Sequence, residues 1–247
     1  MKHLLKTGER IDQLYASDIQ IIQSKDVFSF SLDAVLLADF ARVPRRGRVV
    51  DLCAGNGAVG LFVSKKTEAE IIGIELQEKL ADMAQRSVQL NHLEHQVVMH
   101  NLDVAETFSV VPHDSADMVV CNPPYFKHLP ANKTNPNDYL AVARHEIHTN
   151  LADILTISAG LLKMNGKLAM VHRPDRFLDI LDEMRRVNVM PKRCRFVYPK
   201  KDREANILLI EGIKHGKQDG FKVLPPLVVY DEDNQYLPEV RKMLYGS

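Results

Sequence analysis

The sequence predicts an α/β fold in which a mostly parallel, seven-stranded sheet, covered by helices on both faces, ends in an antiparallel hairpin. From Arg48 onward, short β-branched runs alternate with longer segments of helical period, which is the pattern of parallel βαβ units. Two late extended runs, Cys194 to Tyr198 and Asn206 to Ile213, are separated by the polar turn Pro199-Lys200-Lys201-Asp202-Arg203-Glu204. A parallel crossover needs about a dozen residues or more, so these runs must pair antiparallel. A length of 247 residues suits one such domain with a deep core.

Residues 1–46 read as an N-terminal extension in which Ser24 to Val43 forms a loop and then an amphipathic helix capped by Ser31. The core, 47–215, has strands near 48–53, 70–75, 96–101, 116–121 and 166–172, with helices near 58–66, 77–91 and 149–165 between them. A further helix near 176–188 precedes the hairpin. Residues 216–247 form a tail with no clear period beyond a final short helix. No internal repeat or low-complexity linker divides the chain, so 1–247 is expected to be a single domain.

Lys plus Arg and Asp plus Glu each number 32, so net charge marks neither a strongly basic nucleic-acid binder nor an acidic tail protein. Any nucleic-acid contact must come from local patches. The three cysteines, Cys53, Cys121 and Cys194, lack CxxC or His spacing, which argues against a disulfide framework or zinc site and for a reducing cytoplasm. The first residues lack a signal-peptide core, and no stretch approaches the ~20 apolar residues of a membrane span. A cytoplasmic monomer with no metal and no membrane association is the expectation.

The segment Val49-Val50-Asp51-Leu52-Cys53-Ala54-Gly55-Asn56-Gly57-Ala58-Val59-Gly60 runs from strand to helix through a glycine-rich turn. Glycines there permit left-handed backbone angles and close approach of a ligand. The GxGxxG it contains is alone a weak dinucleotide signal. Asp51 discriminates: a carboxylate before the turn would repel a pyrophosphate but suits the ammonium of an amino-acid moiety, which favours S-adenosylmethionine. Glu75 ends the second strand about 20 residues later, where an acid meets the ribose hydroxyls of a nucleoside cofactor. Asp103, after the third strand, could accept from the cofactor's adenine amine, and equally could cap a helix. Phe28 and Phe30 are candidates to wall the pocket, or else to pack in the core.

The fourth strand ends in Cys121 and is followed by Asn122-Pro123-Pro124-Tyr125 at the carboxyl edge of the sheet, where open α/β sheets bind ligands. An adenine amine is a poor nucleophile because its lone pair is delocalised into the ring. The Asn122 side-chain oxygen and the Pro123 carbonyl can accept both amine hydrogens and localise that lone pair. The two prolines make the geometry rigid. Tyr125 offers a face on which a flipped base can stack. An ordinary turn after a strand is the bland alternative.

At these residues the chain resembles the bacterial tRNA(Val) adenine-N(6)-methyltransferases across nearly its whole length. The resemblance rests on Phe28-Ser29-Phe30-Ser31-Leu32-Asp33-Ala34-Val35-Leu36-Leu37-Ala38, on Asp51-Leu52-Cys53-Ala54-Gly55-Asn56-Gly57, on Glu75 and on Asn122-Pro123-Pro124-Tyr125. It implies a Rossmann-like class I methyltransferase fold and S-adenosylmethionine as cofactor, held by Phe30, Asp51, Gly55, Gly57, Glu75, Leu76, Asp103 and Asn122. It also implies a tRNA substrate whose adenine, beside the anticodon, is met by Asn122, Pro123 and Tyr125. Enzymes that methylate a release-factor glutamine share the Asn-Pro-Pro-Tyr motif, but they carry an additional N-terminal helical domain for which the ~45 residues before the first strand leave no room.

RNA phosphates need Arg and Lys partners. Candidates are Arg42, Arg45, Arg46 and Arg48 before the core; Lys127, Lys133 and Arg144 beyond the catalytic loop, with Phe126 beside them; and Lys192, Arg193, Arg195, Lys200, Lys201 and Arg203 on the hairpin. The long polar loop from Phe126 to Tyr139 is expected to order on substrate.

Overall fold

A computed structural model describes residues 4–14, 18–24, 32–125 and 149–246. Its main sheet is built from β3 (Arg48–Leu52), β4 (Glu70–Glu75), β5 (Val97–Asn101), β6 (Ala116–Cys121), β7 (Leu162–His172), β8 (Val189–Tyr198), β9 (Ile207–Lys214) and β10 (Lys222–Val223), in the order β10-β8-β9-β7-β6-β3-β4-β5. A ninth strand, β11 (Leu227–Val228), also pairs with β8. The five strands from β3 to β7 are mutually parallel, and β9 inserts antiparallel between β7 and β8. The expected mixed sheet with its late hairpin is present. Its strands exceed seven because two short tail segments join β8.

The strands alternate between two cores. Along β6, Met118 and Val120 enter one cluster while Val119 and Cys121 enter the other, as a side-chain period of two requires. One face is covered by α1 (Leu32–Phe40), α2 (Ala58–Ser64) and the C-terminal α6 (Pro238–Tyr245); the other by α4 (Leu151–Leu161) and α5 (Phe177–Arg186). A strand buried on both faces has no polar side, which is why these runs read as continuous β-branched segments.

Several elements differ from expectation. β1 (Glu9–Leu14) and β2 (Ile19–Ser24) form a separate antiparallel hairpin that the sequence reading missed, docked on α3 (Glu78–Leu90). Arg86 of α3 fixes it by donating to both Glu9 carboxylate oxygens, at 2.6 and 2.7 Å, and to the Leu4 carbonyl. α1 is not amphipathic: Ala34 to Ala38 and Phe40 are all buried, which fits a helix enclosed by the sheet and its neighbours. Its proposed cap, Ser31, lies outside the described residues. Finally, α4 ends at Leu161 rather than 165, because Leu162 already belongs to β7.

α1 is tied to the antiparallel end of the sheet by a buried cation. Arg193 on β8 donates to both oxygens of Glu211 on β9, at 3.0 and 2.8 Å, and to the Phe40 carbonyl at 2.6 Å. Its guanidinium lies 4.0 Å over the Phe40 ring. A fork-to-fork pair with a further donor taken by a carbonyl is the geometry in which a buried charge is tolerable.

Candidate active site

β3 is followed by β4 and β5 on one side and by β6 and β7 on the other, so the strand order reverses between β3 and β6. The crevice at the carboxyl ends of these strands is where open α/β sheets take ligands. Asp51 pairs with Val120 and Leu52 with Cys121, which sets Asn122, on the adjacent strand, level with Cys53, the first residue past β3 and two beyond Asp51. Adjacent strands lie ~4.8 Å apart, so the two sequence motifs meet at one edge.

The turn after β3 is shaped by two carboxylates. Glu75, at the tip of β4, accepts from the Gly55 N–H at 2.7 Å and from the Gln77 N–H at 2.8 Å. Asp51 accepts from the Gly60 N–H, in the first turn of α2, at 2.9 Å. Its other oxygen, Oδ1, is buried and has no hydrogen-bond partner among the described residues. Burial pushes Asp51 up to about 7, with the Glu75 charge adding to the rise and the Gly60 bond opposing it. Burial likewise raises Glu75, against its main-chain bonds. Cys53, Gly55 and Gly57 take positive φ of 57°, 58° and 82°. A Cβ at Gly55 would meet no atom within 4 Å, which leaves open space where a cofactor would lie against the main chain. An orphaned acceptor beneath a turn that is open above fits a ligand with a cationic end.

At the tip of β6 the Tyr125 hydroxyl lies 2.7 Å from Asn122 Oδ1 and 2.6 Å from Asp33 Oδ2, in the first turn of α1. Burial, and then the Asp33 charge, hold the phenol well above its ordinary range, so it stays protonated. The Tyr125 ring is tilted 46° against His172, centroid to centroid 5.3 Å. His172 ends β7 at the same edge; its Nδ1 accepts from the Arg173 N–H at 2.8 Å, and burial lowers its pKa to about 4. The ring is therefore neutral with its proton on Nε2, a buried donor without a partner among the described residues. Cys121 is buried and its thiol raised well above the ordinary value, first by burial, so it offers no thiolate nucleophile.

The remaining predicted residues distribute as follows. Asp103 Oδ1 accepts from the Ala105 N–H at 2.9 Å and caps a 3-10 turn over Val104–Ser109. The Leu76 carbonyl accepts from Asn101, whose amide also reaches the Glu75 carbonyl and locks the end of β4. Phe28, Phe30, Phe126, Lys127, Lys133 and Arg144 lie outside the described residues. Lys200, Lys201 and Arg203 follow β8 at the carboxyl edge, three strands along the sheet from β6, with Lys200 held by the Glu232 carbonyl at 3.0 Å.

Arg45 and Arg46 pair with Glu68, and Arg48, the first residue of β3, pairs with Glu70. Those arginines sit at the opposite edge of the sheet. Arg193 is buried against Glu211, and Arg195 pairs with Glu239, so neither belongs to a free basic surface. Asp33, His172 and Asn101 are site residues that sequence reasoning did not single out. The signals were slight: an acid at the head of an apolar helix, and polar residues ending β7 and β5. Among the described residues no group of His, Cys, Asp and Glu is placed to hold a metal ion, and no helix is long and apolar enough to cross a membrane.

Comparison with known proteins bears on the family and the fold. Residues 18–197 match the model of a family described as the methyltransferase small domain. A protein of Parabacteroides distasonis named tRNA1(Val) (adenine(37)-N6)-methyltransferase is 28% identical over 182 residues, covering 72% of this chain and 74% of that one. A Pasteurella multocida protein of the same name is 28% identical over 214 residues, 84% of each chain. Among solved structures, a predicted O-methyltransferase from Agrobacterium tumefaciens superposes with a TM-score of 0.67 at 21% identity, over 87% of this chain and 96% of that one, a likeness of fold alone.

Proposed function

The chain belongs to the methyltransferase small domain family, and from that premise we propose that it methylates the exocyclic N6 amine of an adenine in tRNA. Its cofactor is S-adenosylmethionine, which when bound supplies an electrophilic methyl group. The observation that carries the substrate class is the placement of the Asn122 carboxamide and the Pro123 main chain at the tip of β6, one strand from the Asp51 and Glu75 turn.

Each residue has a defined task. The buried Oδ1 of Asp51 would receive the cofactor's ammonium, and the Glu75 carboxylate its ribose hydroxyls. The open main chain at Gly55 lets that ligand lie close, while Gly57, where a Cβ would meet Ala84 of α3 at 3.1 Å, packs the turn against that helix. Asn122 Oδ1 and the Pro123 carbonyl accept the two N–H groups of the target amine, which localises its lone pair before the methyl group is met. Positioning of this kind supplies most of what the transfer requires, since the methyl donor is already activated. Likeness to the two named relatives points to the adenine at position 37 of tRNA(Val). Lys200, Lys201 and Arg203 lie at the edge that the anticodon arm would approach.

Incubation of unmodified tRNA with protein and S-adenosylmethionine, followed by mass spectrometry of the nucleosides, should show N6-methyladenosine. Label appearing in protein rather than in RNA would overturn the reading.

A further inference from the structure

We propose that Asp33 is a positioning residue that decides which end of the Asn122 carboxamide faces the target amine, acting through the Tyr125 hydroxyl. The proposal rests on the adenine-methylation reading above. Tyr125 Oη has oxygen neighbours on two sides, Asp33 Oδ2 at 2.6 Å and Asn122 Oδ1 at 2.7 Å. A phenol has one proton and can donate to only one of them. A bond to a charged carboxylate is about twice as strong as one to a neutral amide oxygen, so the proton goes to Asp33.

Tyr125 Oη then faces Asn122 with lone pairs, and Asn122 must answer with N–H. A half-turn of the carboxamide about its terminal bond exchanges Oδ1 and Nδ2 with little movement of any heavy atom, because that torsion is roughly two-fold. Nδ2 then donates to Tyr125, and Oδ1 is turned to the opposite side, available to accept from the amine. Without the Asp33 carboxylate the phenol donates to Asn122 Oδ1. The carboxamide then presents its own NH2 to an amine N–H, donor against donor. Asp33 thus sets the polarity of the acceptor on which the chemistry depends without touching the substrate.

The anchoring of α1 supports this assignment. The helix is buried from Ala34 to Ala38 and is held at its buried end, Phe40, by Arg193, so Asp33 keeps a fixed place relative to β6. A plain structural role for Asp33, an acid favoured near a helix N-terminus, would not involve Asn122 at all.

The test uses Asp33→Asn, Tyr125→Phe and the double variant of the full chain, with kcat on unmodified tRNA and cofactor affinity measured for each. Asp33→Asn should lower kcat about tenfold or more, leave cofactor affinity within about twofold, and add nothing in the Tyr125→Phe background. Asp33→Glu should recover most of the rate. Losses that multiply in the double variant, or an Asp33→Asn enzyme as fast as wild type, would overturn the proposal. The Asn122 side-chain amide resonance of 15N-asparagine-labelled protein gives a reading independent of RNA. It should move on Asp33→Asn, and should not move on that change when Tyr125 is already Phe; no movement in the first case overturns the proposal. A wild-type protein that fails to methylate tRNA while showing these shifts would sink the functional reading and leave the relay standing.

Discussion

Glu75 and Gly55 are joined across 20 residues of chain by a 2.7 Å hydrogen bond, the side-chain carboxylate accepting from the main-chain N–H of the turn. The same carboxylate accepts from Gln77, so one side chain shapes both the glycine turn and the start of α3.

Glu75→Gln replaces one acceptor oxygen with an NH2 that must face a main-chain N–H. Leaving a buried donor unpaired costs about 1–3 kcal/mol. Calorimetry should show cofactor affinity reduced about tenfold or more, and thermal unfolding should fall with it. A variant that binds cofactor as wild type does would remove Glu75 from the site.

Asp51 links cofactor binding to pH. Its carboxyl is held at about 7 in the folded chain, against an ordinary value of 3.8. Between these values the folded protein keeps a proton that the unfolded chain has lost, so the Asp51 contribution to stability is greatest below 3.8 and declines as pH rises towards 7. An ammonium on Oδ1 requires the ionised form. Cofactor affinity should therefore weaken by up to about tenfold for each pH unit below 7, with proton release on binding in that range. Titration calorimetry in buffers of different ionisation enthalpy measures both, and Asp51→Asn should flatten the profile while weakening binding throughout.

Asn122→Ala removes an acceptor aimed at the amine and nothing that holds the turn after β3. A fall in kcat of about 10²–10³-fold with cofactor affinity nearly intact is expected, by analogy with the loss of one preorganised hydrogen-bond partner elsewhere. A large loss of cofactor binding in this variant would overturn its role.

Glu211→Ala strands the Arg193 guanidinium, which is 8% exposed and takes its other contacts from Phe40. Breaking a buried pair from one side costs about 3–5 kcal/mol. Denaturant unfolding should register that loss, and replacement of both partners by apolar residues of similar volume should recover much of it.

The sheet was legible because strands buried on both faces leave continuous β-branched runs, and the β6 boundaries, 116–121, follow directly from that pattern. The Asp51 turn and the Asn122 motif were legible because their chemistry is local. The β1–β2 hairpin was not: Glu9-Arg10-Ile11-Asp12-Gln13-Leu14 is mostly polar, and its pairing depends on Arg86, 77 residues from Glu9. Charge was the poorest guide, since composition cannot separate an arginine facing solvent from Arg193, whose partners are supplied by tertiary structure. Asp33 escaped for the same reason, its contact with Tyr125 spanning 92 residues.

One further consequence follows from the guanidinium that grips Phe40. α1 is a rod of nine residues with that grip at one end and Asp33 at the other. A repacking defect in β8 or β9 would displace the grip and carry through the rod, shifting an oxygen that must stay within bonding reach of Tyr125. Inactive variants should thus arise in the antiparallel end of the sheet, where no reacting atom comes near.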